Sequence, residues 1–156
     1  MMSVFSRLLR SLGLRKAARP RQSSPAGYPG DYDGRVRTSY SPAPDGKPDP
    51  GEIVWTWVPF EENHAQGKDR PVLLIGRDGG WLLGLMLTSK DHNSPTHTDS
   101  HYVDIGSGLW DRAGRPSEVK VNRVIRVDPG SVRREGAVLD RGRFRAVTRA
   151  LRSAGH

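Results

Sequence analysis

Apolar and polar residues follow three rhythms along the chain. In Met1–Leu14, Val4, Phe5, Leu8, Leu9, Leu12 and Leu14 recur every three to four positions against Arg7, Arg10 and Arg15. That spacing lines one face of a helix. Residues 19–50 show no such period. From Gly51 the rhythm shortens to two: in EIVWTWVPF (52–60), Ile53, Trp55 and Trp57 fall on one face and Val54, Thr56 and Val58 on the other, which predicts a strand. PVLLIGR and WLLGLMLTS flank Asp78-Gly79-Gly80, and Asp-Gly between two apolar runs predicts a hairpin. HYVDIG and SEVKVNRVIRVD add further strands on either side of SGLWDRAGRP. The polar stretches EENHAQGKDR (61–70) and SKDHNSPTHTDS (89–100) read as loops. Asp140 ahead of RGRF predicts a capped helix with Phe144, Val147 and Leu151 on one face. The expected fold is therefore mainly β, a small barrel or strongly bent sheet closed by a C-terminal helix. Without βαβ alternation, a doubly wound nucleotide-binding fold is excluded.

Composition divides the same chain into three parts. Residues 1–18 are the basic amphipathic segment. Residues 19–50 read as a disordered or extended linker: Pro, Gly and Ser fill 15 of its 32 positions and 7 of the 12 prolines fall there. Proline removes backbone donors and fixes φ, and such a segment buries too little apolar surface to offset its ordering entropy. Residues 51–156 hold all four tryptophans and are the expected folded domain. The first segment is too short and too charged to span a bilayer, but its cationic apolar face predicts weak, reversible contact with an anionic membrane surface. No uninterrupted apolar run resembles a secretory signal.

Charge sharpens this picture only once it is located. The net charge is +8, yet residues 1–50 carry +5, residues 51–111 carry −5 and residues 112–156 carry +8. The basic ends attract phosphate without sequence preference, and the acidic middle holds most of the expected sheet. The chain has no cysteine, which excludes a disulfide framework, a thiolate metal site and a thiol nucleophile, and fits a cytoplasmic location. His92, His97 and His101 lack ligand spacing in a loop containing Pro95, so no metal and no other cofactor is expected. Ser89 and Ser107 have no nucleophile-elbow context.

Four blocks now stand in order: Gly51-Glu52-Ile53-Val54-Trp55, then Lys68-Asp69-Arg70-Pro71-Val72-Leu73, then Leu85-Met86-Leu87-Thr88-Ser89, then Val121-Asn122-Arg123-Val124-Ile125-Arg126-Val127-Asp128. Their order and spacing over residues 51–152 resemble the PemK/MazF family of toxins. That resemblance implies an SH3-like barrel, a homodimer, a small antitoxin partner, and metal-independent endoribonuclease activity on single-stranded RNA. It also implies that Arg70 and Thr88 are the functional pair and that Gln66 matches a common family residue. Several members carry Glu five residues before the arginine; here that position is Ala65, so the resemblance assigns no general base.

The residues themselves suit that chemistry. In RNA cleavage without metal, the 2′-hydroxyl attacks its neighbouring phosphorus and charge builds on the non-bridging oxygens, giving a 2′,3′-cyclic phosphate and a 5′-hydroxyl. A guanidinium such as Arg70 binds those oxygens in a fork and keeps its charge. The Thr88 hydroxyl adds a donor that can relay a proton, and His64 is the imidazole nearest in sequence to act as base. Gln66, Lys68, Ser89 and Lys90 are the expected substrate-binding residues. Trp55, Trp57 and Trp81 are expected in the core rather than as stacking platforms. The alternative function is a non-catalytic module on the same barrel that binds nucleic acid or gyrase.

Overall fold

The computed structural model describes residues 27–43, 45–89 and 101–156, the side chains of 134–136 excepted. The β-branched and aromatic runs form the strands their alternation predicts. They are β1 (Glu52–Phe60), β2 (Asn63–Asp78), β3 (Trp81–Ser89), β4 (Tyr102–Gly106), β5 (Ser117–Lys120), β6 (Ile125–Val127) and β7 (Arg134–Val138). A single helix, α1 (Arg141–Ser153), follows. These described strands make one sheet in the order β4-β5-β3-β2-β1-β7, with β6 paired to β3. The fold is mainly β, a curled half-barrel closed by the C-terminal helix.

By its contacts the chain divides into two compact units, Met1–Tyr28 with Pro59–Gly67, and Pro29–Val58 with Lys68–His156. In the smaller unit the stretch expected as the loop 61–70 is mostly strand. A turn at 61–62 leads straight into β2, which runs 16 residues. Polarity misled here because an exposed hairpin arm has no buried face to alternate against.

In the larger unit the β2–β3 hairpin turns at Asp78-Gly79-Gly80 as expected, and Gly79 takes a φ of +61 that its missing Cβ permits. The two faces of the sheet bury separate apolar clusters. One gathers Ile53, Leu73, Ile75, Leu83, Leu85, Leu87, Val119 and Trp110 against Phe144, Val147 and Leu151 of α1. The other holds Val54, Val58, Val72, Leu74, Leu82, Ile125 and Val127. Asp140 caps α1 by accepting from the Arg143 backbone N–H at 3.0 Å, which satisfies one of the helix's first-turn amide donors. Of the tryptophans, Trp110 is in the core, donating from Nε1 to Ser117 Oγ at 3.0 Å. Trp55, Trp57 and Trp81 are only half-buried.

The expected linker needs the largest correction. Residues 29–43 are extended chain, but they are seated on the sheet and not free. Val36 is 1% exposed within the main core. Tyr32 N–H donates to the Val124 carbonyl and Ser39 N–H to the Ile75 carbonyl, each at 2.9 Å. The Tyr40 hydroxyl donates to the Leu139 carbonyl at 2.8 Å, and its ring packs on Phe144. Glycine at 76 makes the seating possible, because a Cβ there would lie 2.8 Å from the Arg37 carbonyl oxygen. Proline and glycine content measured weak local order, but a few long-range contacts of Val36, Tyr32 and Tyr40 decide the outcome. The basic segment 1–18 lies outside the described residues.

Candidate functional site

Strand register builds this site. Val72 on β2 pairs with Met86 on β3; Arg70 and Thr88 stand two residues further along these antiparallel strands. Residues two apart share a face, so both point to the side of Val72 and Met86, away from the main core. Leu87 and its partner Val119 occupy that core, which independently turns Thr88 to the other face. Thr88 lies directly opposite Glu118 on β5, and Glu118 opposite Asp104 on β4. The apolar second cluster thus runs into a polar row, Thr88, Glu118 and Asp104, with Arg70 beside it on the same face.

Arg70 is half-buried. Burial holds its guanidinium below the ordinary arginine range, the nearby charge of Arg123 adds to that effect, and Tyr102 opposes it. The guanidinium stays charged, since arginine starts so far above neutrality. What burial changes is the medium: a phosphate reaching Arg70 meets its charge through less water than at an open surface. Arg123 is held by Asp31, with Nε to Oδ2 at 2.8 Å and Nη2 to Oδ1 at 3.3 Å. Its side chain is only 4% exposed. This paired, fork-like geometry is the strong form of an arginine–carboxylate contact. The neighbour of Arg70 in sequence, Asp69, pairs with Arg133.

The remaining expected residues distribute unevenly. Lys68 and Ser89 are exposed at the ends of their stretches, and the Thr88 hydroxyl makes a long contact, 3.4 Å, to the Ser89 carbonyl. His64 and Gln66 belong to the smaller unit, where the His64 ring meets Tyr28 edge-on at 5.2 Å between centroids. Lys90, His92 and His97 lie outside the described residues. Sequence reasoning missed Tyr102, Glu118 and Arg123 as site neighbours. A signal existed in SEVKVNRV, where Glu118 and Lys120 alternate with Val119 and Val121, marking a polar face. Among the described residues no group of three or more His, Asp or Glu side chains is arranged to hold a metal ion. No helix among them is long and apolar enough to cross a membrane.

Comparison with known proteins follows the geometry. One solved structure similar to this chain is the MazE–MazF complex of Deinococcus radiodurans, at 21% identity and a TM-score of 0.48, over 70% of this chain and 95% of that one. No curated protein sequence matches. The signature of the PemK-like, MazF-like toxins of type II toxin–antitoxin systems matches residues 49–154. It spans all seven described strands and the helix, and takes in both Arg70 and Thr88. The chain belongs to this toxin family.

Proposed function

We propose that the protein is a toxin that cuts single-stranded RNA without a metal ion, by attack of the 2′-hydroxyl on the adjacent phosphorus. The observation that carries this reading is a half-buried Arg70 on one sheet face with Thr88, in a chain of the PemK-like, MazF-like family. Arg70 would bind the non-bridging oxygens, where a preorganised donor contributes about 2.7–4 kcal/mol in the transition state. Thr88 would donate to the same phosphate. Lys68 and Ser89 flank the pair, and Lys90, Gln66 and His64 complete the proposed binding set. A homodimer, a small antitoxin and a cytoplasmic setting belong to the same proposal, as does weak membrane-surface contact through residues 1–18. The domain boundary we propose is moved: the folded part starts near residue 29, not at 51.

The test uses purified full-length protein with a long single-stranded transcript in EDTA. Cleavage leaving 5′-hydroxyl ends is expected, and Arg70→Ala and Thr88→Ala should each lose about a hundredfold or more in rate. Equal cutting by both variants sinks the site. Intact RNA that is nevertheless bound favours a binding module on the same sheet.

A further inference from the structure

Ala65 stands where relatives place an acid, so the ribonuclease reading lacks a proton acceptor for the 2′-hydroxyl. The sheet brings a carboxylate to the site from another strand. Glu118 is directly across from Thr88 in the β3–β5 pair, and side chains so placed have Cβ atoms about 5 Å apart. It is 3% exposed, although glutamate is almost never fully buried without a specific reason. The other acids near Arg70 are engaged or displaced. Asp69 pairs with Arg133, and Asp31 pairs with Arg123. Asp104 is exposed one strand further away and accepts the Gly106 N–H at 2.9 Å.

We infer that Glu118 is the proton acceptor for RNA cleavage, acting through the Thr88 hydroxyl beside it. The inference rests on the ribonuclease reading. The 2′ oxygen bonds to phosphorus as its O–H bond breaks. Its proton passes to Thr88 Oγ1 while the threonine's own proton passes to a Glu118 carboxylate oxygen. The P–O5′ bond breaks, and the leaving 5′ oxygen takes a proton from water. Glu118 then returns its proton to the hydroxide so formed. Burial fits a relay, because the carboxylate need not touch the substrate. It also makes Glu118 a positioning group for Thr88, which must turn from its long contact with the Ser89 carbonyl. The charged groups bearing on its titration are Asp104 opposite on β4, Lys120 two residues along β5, and the Arg70 and Arg123 guanidiniums with the Tyr102 phenol.

Initial rates of full-length wild type, Glu118→Gln and Glu118→Asp on a long single-stranded transcript, from acid to neutral pH, test this. Wild type should show a rate that rises with pH as the acceptor deprotonates. Glu118→Gln should lose about 10²–10⁴-fold in kcat with KM unchanged, and lose that rise. Glu118→Asp should keep the rise at a kcat roughly tenfold or more lower. If Glu118→Gln cuts with wild-type kcat and pH dependence, Glu118 is not the acceptor and the ribonuclease reading stands. If Glu118→Gln fails to fold, Glu118→Asp decides: wild-type kcat in it overturns the proposal. Wild type that never cuts overturns the ribonuclease reading itself, and the acceptor with it.

Discussion

Replacing Val36 by Ala tests whether the segment before the family signature is part of the fold. Val36 is 1% exposed and packs in the main core, although it sits 13 residues ahead of Asp49, where the signature begins. The change removes two carbons from a closed site. At about 0.8 kcal/mol for each buried CH₂, the transfer loss is about 1.6 kcal/mol. A partly unrelaxed cavity adds to it, for a total of about 2–3 kcal/mol. With a urea dependence of roughly 1–3 kcal/mol per molar, the unfolding midpoint should fall by about 1 M. The assay is equilibrium urea unfolding of the full-length chain followed by tryptophan fluorescence. All four tryptophans lie between Trp55 and Trp110, so the probe reports on the sheet and not on the segment mutated. A midpoint within the ±0.5 kcal/mol expected of a surface change refutes the seating of this segment, and with it the domain start near residue 29.

Two further expectations concern charges. Asp31→Asn keeps the shape of the side chain but leaves the Arg123 guanidinium buried opposite a neutral amide. The same urea assay should show a loss of about 2–4 kcal/mol, slightly under the cost of breaking a fully enclosed pair because Asp31 keeps some exposure. Asp140 is held below the ordinary carboxylate range, first by the side-chain hydrogen bond from Arg143 and then by the backbone one. A depressed carboxyl stabilises above its unfolded value, and that contribution disappears as pH falls through the folded one. Circular-dichroism melts should therefore show Asp140→Asn costing helix stability at neutral pH and little in strong acid; a cost that does not change with pH removes the ionic part of the cap.

Much of the sheet was legible because its strands bury one face at a time. Alternation exposed β1, the Asp78-Gly79-Gly80 turn separated β2 from β3, and Asp140 announced α1. The errors share a cause: local composition speaks only of local preference. EENHAQGKDR looks like loop, but backbone pairing to a neighbouring strand sustains an arm with no buried side chains to show for it. Residues 29–43 look unfoldable alone, and they are ordered through partners about 40 to 100 positions away, Ile75, Val124 and Leu139. In the site, Arg70 and Thr88 were visible through the order of four blocks. Glu118, Arg123 and Tyr102 were not, since only the β3–β5 register and the crossing of Asp31 bring them near.

Those hidden residues also change how Arg70 is understood. Net charge pointed to the basic tail and the C-terminal third as the phosphate-attracting parts, while the middle of the chain sums to −5. Within that acidic middle, the structure neutralises the neighbours of Arg70 one by one: Asp69 by Arg133 and Arg123 by Asp31. Each internal pair removes a charge that would otherwise compete for, or repel, an incoming phosphate. A bidentate carboxylate on Arg123 limits what it can offer an anion, whereas Arg70 sits partly desolvated beside a hydroxyl and a carboxylate. Local pairing, and not the overall charge of +8, selects the guanidinium that faces the substrate. The same logic makes residues 29–43 more than packing. By supplying Asp31, a segment outside the family signature sets the electrostatics of a site that lies wholly inside it.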